Sequence, residues 1–133
     1  MNLNHINLPV HDVAASRDFF ATYFGMVTTL EVGDNFLVMM QDEGSMVLNL
    51  SHFSNDSSTE IPYPKDFHIG FYVETNDDVD RIHAQMSADG LVADSPKRRE
   101  GRYSFYVQSP GGFITEVAKL AIALQHRASA LKS

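Results

Sequence analysis

The chain repeats itself once. His5-Ile6 returns as His68-Ile69, Val10 as Val73 and Gly25 as Gly90, and Met46-Val47-Leu48-Asn49 returns as Phe113-Ile114-Thr115-Glu116. The offset grows from 63 to 67 residues along the chain, as small loop insertions would make it. A single duplication is not a solenoid, because stacked repeats need three or more copies to bury a continuous core. Two copies of one supersecondary unit are therefore expected.

Each copy reads as strand, helix and three strands, which is an α+β class. In the first, residues 3–10 alternate as a strand with Ile6, Leu8 and Val10 on one face and His5 and Asn7 on the other. Asp12 is placed to cap a helix that carries Val13, Arg17, Phe20 and Phe24 along one side and stops at Gly25. Short strands at 26–32, 35–41 and 45–50 follow, separated by Gly33-Asp34 and Asp42-Glu43-Gly44. The second copy places strands at 67–74, 91–93, 102–108 and 113–120, and a helix at 76–88 opened by Asn76 or Asp77. Val79, Ile82, His83 and Met86 form the expected inner stripe of that helix, and Ser109-Pro110-Gly111-Gly112 marks a turn. The organisation expected is one domain over 1–133. It holds βαβββ modules at 3–50 and 67–120, a polar linker at 51–66 and a helical tail at 121–133. The modules should form a curved mixed sheet around a cavity.

Duplicated units commonly pack with pseudo-twofold symmetry, which brings equivalent positions together. The apolar faces of the two first strands must cover their helices, so alternation sends His5 and His68 to the other face. Asn49 and Glu116 hold matching positions on the last strands. Four polar residues are thus expected to line one pocket. Two imidazoles and a carboxylate suit a divalent metal with open coordination positions, and open positions that bind water or substrate allow such a site to be catalytic. With no cysteine in the chain, a metal can be held only by His, Asp, Glu or amide groups.

Charge excludes other classes. The net charge of −7 argues against nucleic acid, whose binders need a basic face. Lys97, Arg98, Arg99 and Arg102 form a basic cluster that reads as a solvated loop, or alternatively as a lid that meets an anionic substrate through Arg99 and Arg102. No apolar run reaches 18 residues, and the N-terminal stretch MNLNHINLPV does not have the build of a secretion signal, so a cytoplasmic location is expected and no membrane partner. Tyr72 and Tyr106 are candidate hydrogen-bonding groups for a substrate, and Tyr103 reads as core. Met39, Met40 and Met46 read as core filling.

Together, Leu3-Asn4-His5-Ile6, Asp12-Val13, Phe19-Phe20, Phe67-His68-Ile69, Ser109-Pro110-Gly111-Gly112-Phe113 and Ile114-Thr115-Glu116-Val117 resemble the motifs of the vicinal oxygen chelate superfamily. That group includes glyoxalase I, extradiol dioxygenases, fosfomycin-resistance transferases and bleomycin-resistance binding proteins. The resemblance spans residues 3–119. It implies His5, His68 and Glu116 as ligands to one divalent ion (Mn, Fe(II), Ni, Zn or Co) and a homodimer whose second chain completes the cavity. It also implies metal-dependent chemistry on a small oxygen-bearing substrate, by lyase or isomerase, thiol-transferase or dioxygenase routes. Beside that resemblance, Glu116 and Tyr106 are the candidates for a catalytic base. The alternative is a metal-free protein that binds a small molecule or antibiotic. Two departures matter. Glyoxalase I members usually carry a glutamate where Asn49 stands, and an amide cannot serve as a base. Fosfomycin transferases carry a hydroxyl residue where Asn7 stands. Asn7 and Asn49 are left as candidate substrate contacts.

Overall fold

The computed structural model describes residues 1–53 and 61–121 and divides into two compact units. Part of the 51–66 linker, and all of the expected tail helix beyond residue 121, lie outside the described residues.

The first unit comprises residues 1–67 and the turn at 109–113. Its elements are β1 (His5–Val10), α1 (Val13–Phe24), β2 (Val27–Val32), β3 (Leu37–Gln41) and β4 (Val47–His52), in the sheet order β1-β4-β3-β2. β1 and β4 are parallel, and the other pairs are antiparallel. Asp12 accepts a hydrogen bond from the Ala15 amide at 3.0 Å, and Gly25 ends α1 in the left-handed conformation at φ 66°. The inner stripe of α1 is Val13, Ser16, Phe19 and Phe20, which corrects the expectation for Arg17. A guanidinium is costly to strip of water, and Arg17 instead reaches out to Glu31 at 2.6 Å and Asp18 at 2.9 Å. The buried Ser16 hydroxyl is satisfied by the Asp12 carbonyl at 2.6 Å. Leu8, Val10, Val38, Met40, Leu48 and Leu50 fill the core beneath the helix.

The 109–113 turn completes this core. Phe113 stacks on Phe20 with ring centres 5.5 Å apart. Gly111 is buried so tightly that a Cβ there would stand 2.3 Å from Ser16 Oγ. Pro9 lies in β1, an edge strand, where a missing amide donor breaks no ladder. Tyr63 covers that edge by donating its hydroxyl to the Pro9 carbonyl. Burial pushes the Tyr63 phenol up to about 12.

The second unit comprises His68–Gln108 and the chain from Ile114 onward. Its elements are β5 (His68–Tyr72), α2 (Asn76–Ala88), β6 (Lys97–Arg99), β7 (Arg102–Gln108) and β8 (Ile114–Leu120), in the order β5-β8-β7-β6. β5 and β8 are parallel, like β1 and β4. Thr75, rather than Asn76 or Asp77, caps α2. Its hydroxyl accepts from the Asp78 amide at 3.0 Å while the Asp78 carboxylate takes the Thr75 amide at 3.2 Å. Val79, Ile82 and Met86 are buried as expected, and the His83 ring meets Phe105 edge-on at 5.0 Å.

Three expectations on this unit need correction. Residues 91–93 form no strand and contribute only the single bridge between Ala93 and Val107. The strand beside β7 is β6, so Lys97, Arg98 and Arg99 are paired sheet residues rather than a solvated loop. Tyr103 is half-buried rather than core, with its hydroxyl on Asp80 at 2.6 Å.

The ladders carry the repeat. His5 pairs with Val47 as His68 pairs with Ile114, and Asn7 pairs with Asn49 as Gly70 pairs with Glu116. Among the described residues no helix is long and apolar enough to cross a membrane.

Candidate functional site

β5, β8 and β7 of the second unit hold its polar centre. Parallel pairing sets Gly70 opposite Glu116, and antiparallel pairing sets Tyr106 opposite Glu116. Alternation then puts His68, Glu116, Tyr106, Ser104 and Arg102 on one face, while Phe105, Val107 and Val117 turn to the core. His68 Nε2 stands 3.6 Å from Glu116 Oε1. Arg102 Nε donates to the other carboxylate oxygen, Oε2, at 2.5 Å. Arg102 NH2 donates to the Tyr106 hydroxyl at 2.9 Å and NH1 to the Glu100 carbonyl at 3.1 Å. The Tyr106 ring meets the His68 ring edge-on at 5.5 Å.

Glu116 is only 7% exposed. Burial pushes its carboxyl up, but hydrogen bonding to Arg102, Ser104 and Tyr106, with the charge of Arg102, outweighs this and holds it below its ordinary value. The partner responds in kind: the Arg102 guanidinium is raised by its bond to Glu116. The pair stays ionised.

Arg99 forms a second layer. It donates to Asp94 and to the Ser104 carbonyl, each at 2.5 Å, and its guanidinium lies 4.8 Å from the Tyr106 ring centre. Asp94 also accepts from the Tyr106 amide at 2.6 Å. Each guanidinium thus makes several hydrogen bonds within the protein, which fix its position beside Tyr106 and Glu116. Ser104 and Asp94 were not singled out from the sequence. The alternation Arg102, Ser104, Tyr106 on β7 was the available signal for Ser104. Asp94 carries no such pattern, because it lies outside any regular element.

The first unit carries the repeat-equivalent positions on its own sheet. An open groove of about 690 Å³ is lined by His5, Asn49, Asn4, Asn2, Ser45, Met39 and Val47. His5 is exposed, with Nδ1 2.7 Å from Asn4 Oδ1. Asn49 Oδ1 is buried and, among the described residues, has no hydrogen-bond partner. Asn7 donates to Ser51 Oγ at 3.1 Å, and Met39 lines the groove where it had read as core filling. Tyr72 is 72% exposed.

The ligand types suit a divalent ion, and one pair in the second unit has the spacing for it. Two ligands each about 2.1 Å from one ion stand roughly 3–3.5 Å apart, close to the His68–Glu116 spacing of 3.6 Å. In the first unit, His5 shares its groove with an unsatisfied amide oxygen, a neutral ligand type that hard divalent ions accept. Among the described residues, no three His, Asp or Glu side chains stand close enough together to hold a metal ion.

Comparison with known proteins agrees with the fold. Residues 2–117 match the family model of the glyoxalase/bleomycin resistance protein/dioxygenase superfamily, and the chain belongs to that superfamily. Among solved structures it is similar to a possible glyoxalase from Bacillus cereus, at 38% identity and a TM-score of 0.78, covering 88% of this chain and 97% of that one. A lactoylglutathione lyase from Agrobacterium tumefaciens shares the fold at 24% identity and TM-score 0.69, covering 89% and 92%. An oxidase, ChaP-H2, shares it at 22% and 0.71, covering 91% and 94%. No curated protein matches the chain.

Proposed function

We propose that this chain is a metal-dependent enzyme acting on a small oxygen-bearing substrate, with His5, His68 and Glu116 as ligands to one divalent ion. The reading also takes it to be a cytoplasmic homodimer. The observation that carries the proposal is the pair His68 Nε2 and Glu116 Oε1 at 3.6 Å, with the carboxylate buried and held ionised. A carboxylate already charged and oriented toward an imidazole is prepared to accept a cation. The solved structures named a possible glyoxalase and a lactoylglutathione lyase lend the reading support from within the family.

The ion, when bound, supplies Lewis acidity toward a substrate oxygen. The protein's own contribution follows from the side chains. His68 and Glu116 bind and orient, and Tyr106 offers a hydroxyl beside them, held by Arg102. Asn49 stands where a second carboxylate would complete the repeat, and it neither donates nor takes up a proton at neutral pH. Proton traffic between two carboxylates is therefore not part of the proposal, and a one-base route through Glu116 is.

A second reading has one observation in its favour. Arg102 already neutralises Glu116, so the pocket is electrically complete without an ion. In that case the chain binds a small molecule or antibiotic and performs no chemistry. Metal analysis of untagged protein separates the two, after reloading with Mn(II), Fe(II), Ni(II) or Zn(II) and with His68→Ala as control. About one ion per chain, lost in His68→Ala, supports the enzyme. Below about 0.1 ion per chain the enzyme reading fails. Oxygen uptake with catechols then distinguishes a dioxygenase from a lyase or transferase.

A further inference from the structure

We infer that Arg102 is an internal counter-cation that competes with metal for Glu116 and thereby sets how tightly the site holds it. The inference rests on the proposed metal site and assigns Arg102 a role that the substrate-contact reading does not. The two oxygens of Glu116 are divided. Oε1 faces His68 at 3.6 Å, and Oε2 is taken by Arg102 at 2.5 Å. The guanidinium is itself fixed, by the Tyr106 hydroxyl at 2.9 Å and the Glu100 carbonyl at 3.1 Å. It is therefore not a surface side chain that swings aside without loss.

Two consequences follow, and both act in one direction. The ion pair stabilises the metal-free chain, because a buried carboxylate without a partner is costly. It also leaves a fixed positive charge beside the position where a second cation would bind, and like charges in a partly dry pocket repel. Removing Arg102 raises the energy of the metal-free state and lowers the repulsion in the loaded one. Metal affinity should rise on both counts. The engaged Oε2 further restricts Glu116 to one oxygen as a ligand, since the other already carries a charge-assisted hydrogen bond.

The test is titration of the full chain with Mn(II), followed by loss of the free-ion signal in electron paramagnetic resonance. Wild type is compared with Arg102→Met, Arg102→Gln and Arg102→Lys. The expected result is Mn(II) binding about tenfold tighter or more in Arg102→Met, the size a lost charged hydrogen bond implies. Arg102→Lys should stay within a few-fold of wild type, because it keeps the charge. A residue that merely supported the fold would instead weaken binding in all three variants. Should Arg102→Met fail to fold, Arg102→Gln makes the same comparison, since it keeps a donor for Oε2 without the charge. Equal or weaker binding in the charge-neutral variants overturns it while leaving the proposed metal site standing if wild type binds. No binding in any variant overturns both.

Discussion

Glu116 is where charge, burial and register meet, and its protonation should be visible in stability. Its carboxyl is held below the ordinary value of 4.5. A carboxyl depressed on folding contributes stability that is present above its unfolded pKa and is lost as pH falls through the lower folded value. Glu116→Gln removes that contribution at every pH. The melting temperature of wild type should therefore exceed that of Glu116→Gln at pH 7, and the gap should close as pH falls below about 4. A gap that stays constant down to pH 3 would show that the ion pair with Arg102 contributes nothing to folding. Tyr63 offers a second check at this scale. Its hydroxyl, donated to Pro9, covers an edge carbonyl in the first unit. Tyr63→Phe leaves that carbonyl without its donor, so a loss of about 1–3 kcal/mol is expected in urea unfolding. Ultraviolet titration should also show one phenol fewer among those that ionise last, because burial holds Tyr63 at about 12.

Among the elements, the 109–113 turn is the most demanding on sequence. Gly111→Ala would drive a methyl to within 2.3 Å of Ser16 Oγ and 2.8 Å of Phe113, at the join between that turn and the α1 core. Overpacking of this kind costs about 1–3 kcal/mol or more. Gly70→Ala is the matched control, because a Cβ there meets only the Glu116 carbonyl oxygen at 3.8 Å, an ordinary contact. Denaturant midpoints should fall clearly for the first and little for the second; equal midpoints would refute the close-approach argument. The same contrast explains what could be read from the sequence. α1, α2 and β7 carry strong periodicity and fell where the pattern put them. β6 did not, because Lys97-Arg98-Arg99 has no apolar alternation to announce a strand. Charges on a sheet edge are what keep that edge from pairing with another chain, and here they also hid it. Arg17 was misassigned because its spacing matches the stripe, while its reach to Glu31 depends on where β2 lies. His68 and Glu116 were legible through the repeat. The Arg102 clamp was not, since its bond to Glu116 depends on the pairing of β7 with β8, which no local pattern encodes.

At the scale of the molecule, the question is how many chains one site uses. His5 and Asn49 belong to the first unit, and His68, Glu116 and Tyr106 to the second. If a site of the proposed homodimer takes His5 from one chain and His68 and Glu116 from the other, mixing inactive variants will reveal it. His5→Ala retains His68 and Glu116, and His68→Ala retains His5. Neither alone should bind metal as wild type does. When the two are unfolded and refolded together in equal amounts, half of the dimers formed are mixed. In a mixed dimer one site carries both alanines, and the other carries the intact His5 of one chain with the intact His68 and Glu116 of its partner. About a quarter of the wild-type metal capacity should then return, because a twofold interface generates two equivalent sites. If all three ligands of a site come from a single chain, every chain in the mixture is defective and no capacity returns. Sedimentation of the refolded mixture checks that the particles are dimers. Recovery near a quarter makes the two-chain site the working unit, whereas a dimeric mixture with no recovery confines all three ligands of a site to one chain.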